Sequence, residues 1–148
     1  MPADTTIFDA MHETISFQTA PKSIRMITQE VAQWVNSVGA ISGTVTVFCQ
    51  HTSASLSIQE NADPTVREDV VRYFDDIAPE DRYYEHSYEG PDDMPAHLKT
   101  ILTSVSLTIP VQNGRMALGT WQGIYFMEHR AHPHRRQCHL TFTGLRQA

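Results

Sequence analysis

With only two cysteines in 148 residues, the sequence excludes a fold stapled by disulfides. Cys49 and Cys138 both fall in alternating apolar stretches, which reads as two reduced, buried thiols in a cytoplasmic protein; a bridge between neighbouring strands is the alternative. Long apolar runs are also missing. Nothing approaches the roughly 18 residues that span a bilayer, so the chain reads as soluble, with no membrane partner. Met1-Pro2-Ala3-Asp4 lacks the basic-then-apolar order of a secretory leader. Positive charge is in deficit, with 11 Lys and Arg against 17 Asp and Glu and a net charge of −6. That argues against nucleic acid as a partner, because a phosphate backbone demands a positive surface. The glycines lie too far apart for a GxGxxG, and there is no Walker loop, nucleophile elbow, HExxH or paired CxxC. Internal repeats and low-complexity tracts are absent too.

What is present is a chain of single-domain length, residues 1–148, able to bury about 70% of its unfolded surface and so to fold without a structural metal. A metal would therefore be functional. Acid is concentrated between residues 60 and 93, whereas Glu128 is the one acidic residue after Lys99. The acidic and basic segments either face each other or divide cation and anion binding between them. Eight histidines make the charge strongly dependent on mildly acidic pH.

The patterning predicts short strands at 12–18 and 23–27, then a helix capped by Thr28, with Val31, Trp34, Val35 and Val38 on one face. Val45, Val47 and Cys49 form the inward side of a strand, and Leu56 and Ile58 that of another. Asp63-Pro64 is a helix start, with Val66, Val70, Phe74 and Ile77 inward. Residues 79–93 lack periodicity and read as a functional loop. A third helix is expected to bury Met94, Leu98, Ile101 and Leu102. A strand containing Val105 to Val111, a turn at Gln112-Asn113-Gly114, a long strand over 115–128 interrupted by Gly119 and Gly123, and a last one around Cys138 to Phe142 complete an α+β domain with antiparallel sheets.

Counting by twos puts His51 at the inward end of its strand, followed by the small hydroxyl residues Thr52 and Ser53, whose backbone N–H groups can approach an anion. His97 falls on the margin of the third helix's apolar stripe. His86 and the acids Glu85, Glu89, Asp92 and Asp93 are close in sequence. The reading is a His and carboxylate cluster around a divalent cation, Zn or Mg, with His51, His86 and His97 as ligands, or two of them with a carboxylate. Glu128 shares the face of Ile124 and Phe126 with Gln122, and a carboxylate there needs a cation or a catalytic use. Arg130, Arg135 and Arg136, with His129, His132 and His134, can hold phosphate through forked hydrogen bonds, or simply form a solvated turn.

Three blocks, HTSASLSIQENADPTVREDV from His51, YEHSYEGPDDMPAHLK from Tyr84 and LGTWQGIYFMEHR from Leu118, together resemble the secondary thiamine-phosphate synthase family, also called YjbQ-like. The likeness runs through nearly the whole chain. It implies an α+β fold in which two sheets pack as a sandwich, and a homotrimer around a threefold axis. It also implies an ability to join a pyrimidine pyrophosphate to a thiazole phosphate with loss of pyrophosphate. The resemblance implies a site near His51, Thr52, Ser53, Asn61, Asp63, His86, Asp93, His97, Trp121, Gln122 and Glu128; within it Asp93, Glu128, Trp121 and Gln122 are read as catalytic, and Thr52, Ser53, Asn61 and Asp63, with the residue-based candidates Arg130 and Arg136, as binding the phosphorylated small molecule. Pro91 before the Asp pair and the turn AHPHRR depart from the family pattern, which sets Arg135 and Arg136 apart from it. Two other functions fit the residues: a trimeric metal- and anion-binding protein without turnover, and a metal-dependent hydrolase. Apolar residues on second strand faces, namely Phe48, Trp121, Tyr125 and Met127, are expected to be covered by a neighbouring subunit.

Overall fold

The computed structural model describes residues 5–148, so the Met1–Asp4 segment read for a leader lies outside the described residues. Eight strands and three helices follow one another as β1 (Thr6–Gln18), β2 (Ser23–Met26), α1 (Thr28–Ser37), β3 (Ala40–Cys49), β4 (Ala54–Glu60), α2 (Pro64–Ile77), α3 (Asp93–Leu102), β5 (Ser106–Gln112), β6 (Arg115–Met116), β7 (Gln122–Glu128) and β8 (Arg135–Gln147). Five strands form one antiparallel sheet in the order β1-β8-β3-β5-β6, and three form a second in the order β2-β7-β4. No helix among the described residues is long and apolar enough to cross a membrane.

The core lies between the sheets because the period-2 alternation of each strand turns one set of side chains inward. Val45, Val47, Leu140 and Phe142 of the larger sheet meet Leu56, Ile124 and Phe126 of the smaller, with Val31, Trp34 and Val35 of α1 closing one end. Cys49 and Cys138 are register partners on β3 and β8, both buried and both free thiols. Burial pushes them up to about 11 and about 12, where a thiolate is scarce.

The smaller sheet is buried on both faces. Its second face packs on α2 and α3, so Tyr125 and Met127 are 0% and 3% exposed within a single chain. This corrects the expectation of a neighbouring subunit at those two residues. Among the described residues the larger sheet has no such cover, and Phe48 on its outer side stays 44% exposed.

Three local readings are also corrected. Thr28 does not cap α1: its hydroxyl accepts the Ile124 N–H at 2.8 Å, tying the helix start to β7. The strand over 115–128 does break at Gly119, where the Gln122 N–H donates to the Gly119 carbonyl at 3.1 Å, but its two pieces belong to different sheets rather than to one interrupted strand. Helix α3 turns Asp93, Ala96 and Lys99 inward and leaves Ile101 and Leu102 76% and 57% exposed. Charge pairing overrides apolar periodicity there, since Lys99 Nζ lies 2.6 Å from Asp75 Oδ1 and Asp93 is paired to Arg130. The expected turn at Asn113-Gly114 is present, both residues having positive φ (52° and 79°) as a two-residue hairpin requires.

Candidate metal centre

The segment between α2 and α3 contains neither helix nor strand and delivers His86 beside the first turn of α3. Asp93 and His97 are one helical turn apart, so both side chains leave α3 in the same direction. His86 Nε2 lies 2.8 Å, and His97 Nε2 3.2 Å, from the same oxygen of Asp93, Oδ2. The three ligand atoms lie within 4.8 Å of one another.

Proton bookkeeping makes this more than proximity. His97 Nδ1 is 2.8 Å from the Thr52 carbonyl, which can only accept, so Nδ1 carries the hydrogen. A neutral ring then presents a lone pair from Nε2 toward a carboxylate oxygen at 3.2 Å. Two acceptors facing each other at that distance need a proton or a cation between them. An imidazole that donates its second nitrogen to a backbone carbonyl is also the usual arrangement behind a metal ligand. Two nitrogens and one oxygen suit Zn better than Mg, which prefers oxygen alone, and three protein ligands leave a position for water or substrate.

Asp93 is 2% exposed and is held from behind by Arg130, whose Nη1 is 3.2 Å from Oδ1, leaving Oδ2 for the histidines. Arg130 also donates from Nε to Asp92 Oδ2 at 2.8 Å and from Nη2 to the Glu89 carbonyl at 2.9 Å. It thereby ties the 79–91 loop to the start of α3. Burial would raise the Asp92 carboxyl, but Arg130 and the Ala131 N–H outweigh it and hold Asp92 down to about 2. The acidic and basic segments of the sequence thus face each other here.

His51, expected as a third histidine ligand, is used elsewhere: its Nε2 accepts the Gln137 N–H at 2.9 Å, and Asp93 completes the cluster in its place. Burial, then the nearby Arg136, push the His51 imidazole down from its ordinary value. It still lines, with Thr52, His97 and Ile101, an open groove of about 650 Å³ on one side of the cluster. On the other side His86 borders a groove of about 300 Å³ with Arg82, Tyr83 and Tyr84.

The remaining candidates fall into two further groups. Glu128 is 2% exposed with both oxygens occupied: Oε1 accepts from Thr19 Oγ1 (2.6 Å) and Arg136 Nε (2.8 Å), and Oε2 from Arg136 Nη2 and the Arg130 N–H. Burial would raise its carboxyl, yet these donors hold it below the usual range. Glu128 is therefore a fixed counter-charge rather than a free acid or base. Arg136, which also donates to Ser53 Oγ at 3.0 Å, has no fork left for phosphate, and neither has Arg130. Arg135, by contrast, is exposed.

Asn61, Asp63, Trp121 and Gln122 sit at the far end of the smaller sheet. Glu60 pairs with Gln122 and Ala54 with Glu128, so the seven residues of β4 separate the two ends by about 20 Å. At that end Asn61 Nδ2 donates to the Thr120 and Gln122 carbonyls, Gln122 Oε1 accepts the Gly119 N–H, and Asp63 caps α2 through the Thr65 N–H at 2.9 Å. Trp121 is 64% exposed. Within one chain these four do not reach the His86–Asp93–His97 cluster.

The family described as "UPF0047 protein YjbQ-like" matches residues 13–145. The chain belongs to this family. A UPF0047 protein of Synechocystis is 44% identical to this YjbQ-like chain over 145 residues, covering 97% of the chain and 99% of the relative. The UPF0047 protein YjbQ of Salmonella typhimurium is 43% identical over 132 residues, 88% and 96% of the two chains. A crystal structure of a YjbQ/UPF0047 protein from Clostridium acetobutylicum superposes with a TM-score of 0.82 at 37% identity, covering 88% of the YjbQ-like chain described here and 98% of its own.

His129, which the sequence offers only as part of the basic run around Arg130, is buried. Its Nε2 is 2.7 Å from Ser55 Oγ, and Ser55 in turn is bonded by Thr103 Oγ1 at 2.5 Å. Burial, then Lys99, push His129 down to about 3, so it is neutral. Counting by twos from Tyr125 and Met127 places it on the helix-covered face, a signal present in the sequence.

Proposed function

We propose that this protein is a divalent-cation-dependent enzyme acting on a phosphorylated small molecule, and that its reaction is the joining of a pyrimidine pyrophosphate to a thiazole phosphate with release of pyrophosphate. The observation that carries the first part is the convergence of His86 Nε2, His97 Nε2 and Asp93 Oδ2, with the His97 tautomer fixed by Thr52. The specific reaction rests on the family likeness.

A bound cation would stabilise the charge that develops on pyrophosphate oxygens as the carbon–oxygen bond breaks. Arg130 holds Asp93 in its ligand geometry, Thr52 fixes the His97 ring, and the flanking grooves supply room for two substrates. A cytoplasmic setting fits two buried, free thiols. A threefold assembly belongs to the same reading, supported by the exposure of Phe48 and Trp121, and it would let the Asn61–Trp121 end of one copy approach the cluster of another.

Metal analysis of protein reconstituted with zinc is the test. The wild type should hold one equivalent per chain and His97→Ala and Asp93→Asn much less; an empty wild type sinks the cation reading. Loaded protein incubated with both substrates should then give thiamine phosphate by mass. A loaded protein that forms no product points to binding without turnover, and release of free phosphate from simple esters points to hydrolysis.

A further inference from the structure

Arg130 and Arg136 are both consumed by buried carboxylates, yet the reaction proposed above brings in two phosphorylated molecules. A pyrophosphate that leaves can be held on the cation. The acceptor's own phosphate does not react and has to be held somewhere else. No Lys or Arg lines the groove of about 650 Å³ beside His97. The groove of about 300 Å³ on the other side of the cluster has one, Arg82.

Arg82 is exposed and stands in the acidic stretch of the sequence, between Asp81 and Glu85 and close to Glu80 and Glu89. Among the described residues it nevertheless has no hydrogen-bond or ion-pair partner. Glu80 Oε2 accepts from Lys22 Nζ at 2.7 Å instead, and Glu89 Oε2 faces Arg130 Nη1 at 3.6 Å. The loop that carries Arg82 is still pinned at both ends. At its start the Tyr84 hydroxyl donates to the Pro79 carbonyl at 2.9 Å, and at its end Arg130 donates to the Glu89 carbonyl. A guanidinium with its whole fork free, on a loop held in place, suits two-pronged capture of a phosphate. Tyr83, 83% exposed, lines the same groove, whose volume is at the small end for ligand pockets and suits a molecule of one ring.

We infer that this groove is the acceptor subsite, in which Arg82 holds the phosphate of a monoester carried by a single aromatic heterocycle and Tyr83 supplies the face against which the ring lies. The inference rests on the reaction proposed above and gives one of its two substrates a place. His86 borders the groove and belongs to the cluster, so a ring seated there lies beside the cation.

Calorimetric titration of zinc-reconstituted protein with the thiazole phosphate, and with the same thiazole lacking its phosphate, is the test. The wild type should bind the phosphate ester at least about tenfold more tightly than the alcohol. Arg82→Gln should bring the two within about twofold of each other with zinc content unchanged, and Arg82→Lys, a point charge without a fork, should fall between. Arg135→Gln, which is exposed and lines neither groove, should match the wild type and so exclude a general effect of charge. Tyr83→Ala should weaken both compounds alike, by about threefold or more. A wild type without the preference, a preference that survives in Arg82→Gln, an equal loss in Arg135→Gln, or a Tyr83→Ala that binds both compounds as the wild type does overturns the inference. The same titrations after chelation keep the two readings apart. A preference that persists without zinc and vanishes in Arg82→Gln supports the subsite even if the wild type proves to hold no metal. A preference lost with zinc but kept in Arg82→Gln puts the phosphate on the cation and overturns the subsite while leaving the cation reading intact.

Discussion

Glu128→Gln separates a structural ion pair from a catalytic carboxylate. In the wild type two guanidinium nitrogens of Arg136, the Thr19 hydroxyl and the Arg130 N–H converge on a carboxylate that is itself 2% exposed. The amide keeps an acceptor but loses the charge, leaving Arg136, 6% exposed, without a counter-ion. Breaking a buried pair from one side costs about 3–5 kcal/mol. For a domain of this size that lowers Tm by about 6–20 °C.

The pH dependence has a definite sign. The Glu128 carboxyl is depressed in the folded state, so its contribution is complete above the ordinary value of 4.5 and is lost as pH falls through the lower, folded value. Urea unfolding of both proteins should therefore show a constant gap from neutral pH down to about 4.5 that narrows below it. Replacing both partners, as Glu128→Leu with Arg136→Met, should recover most of the loss, because an apolar pair needs no desolvation. A single-variant cost below about 1 kcal/mol, the ordinary worth of a surface pair, or a gap that does not narrow in acid, would refute this account of Glu128.

Gly144→Ala should destabilise by at least about 3 kcal/mol in urea, because an added Cβ meets the Ser42 carbonyl oxygen at 2.2 Å and φ is +152°. Ser55→Ala should cost about 1–3 kcal/mol by the same assay, since it strands the neutral, buried His129 Nε2; a neutral outcome would mean that water takes the place of the hydroxyl. Both thiols should resist maleimide in native protein and react together on unfolding, since Cys49 and Cys138 are 2% and 0% exposed; labelling of either in native protein would show that the sheet opens locally.

What the sequence made legible was whatever depends on neighbours in the chain. Asp63-Pro64 starts α2 as expected because cap and proline act within one turn, and the inward sets of β3, β5 and β8 follow from alternation alone. Helix α3 was misjudged because apolar periodicity ignores charged residues that find partners. Lys99 turns inward toward Asp75, which is 24 positions away. Arg136 was legible and overlooked: counting back by twos from Phe142, Leu140 and Cys138 places it inside, opposite the inward Glu128. At the candidate centre, residue type and spacing pointed to His86, Asp93 and His97 but also to His51, because nothing local shows that the Gln137 N–H occupies its nitrogen. The separation of Asn61 and Trp121 from the cluster follows from β4–β7 pairing, which only the fold reveals.

The pairing of β1 with β8 has a consequence for how the chain is built. Thr6 aligns with Gln147 and Gln18 with Arg135, so every rung joins residues more than a hundred positions apart. Strand β8 is also the one that connects β1 to β3. On the ribosome, β1 is made first and its partner last, so β1 stays unpaired while the rest of the chain is synthesised. Such distant closure slows folding and leaves a long strand free to pair wrongly. Glu13 and Asp9, on the inward side of this edge strand, place acid where a hydrophobic strand would otherwise invite such pairing.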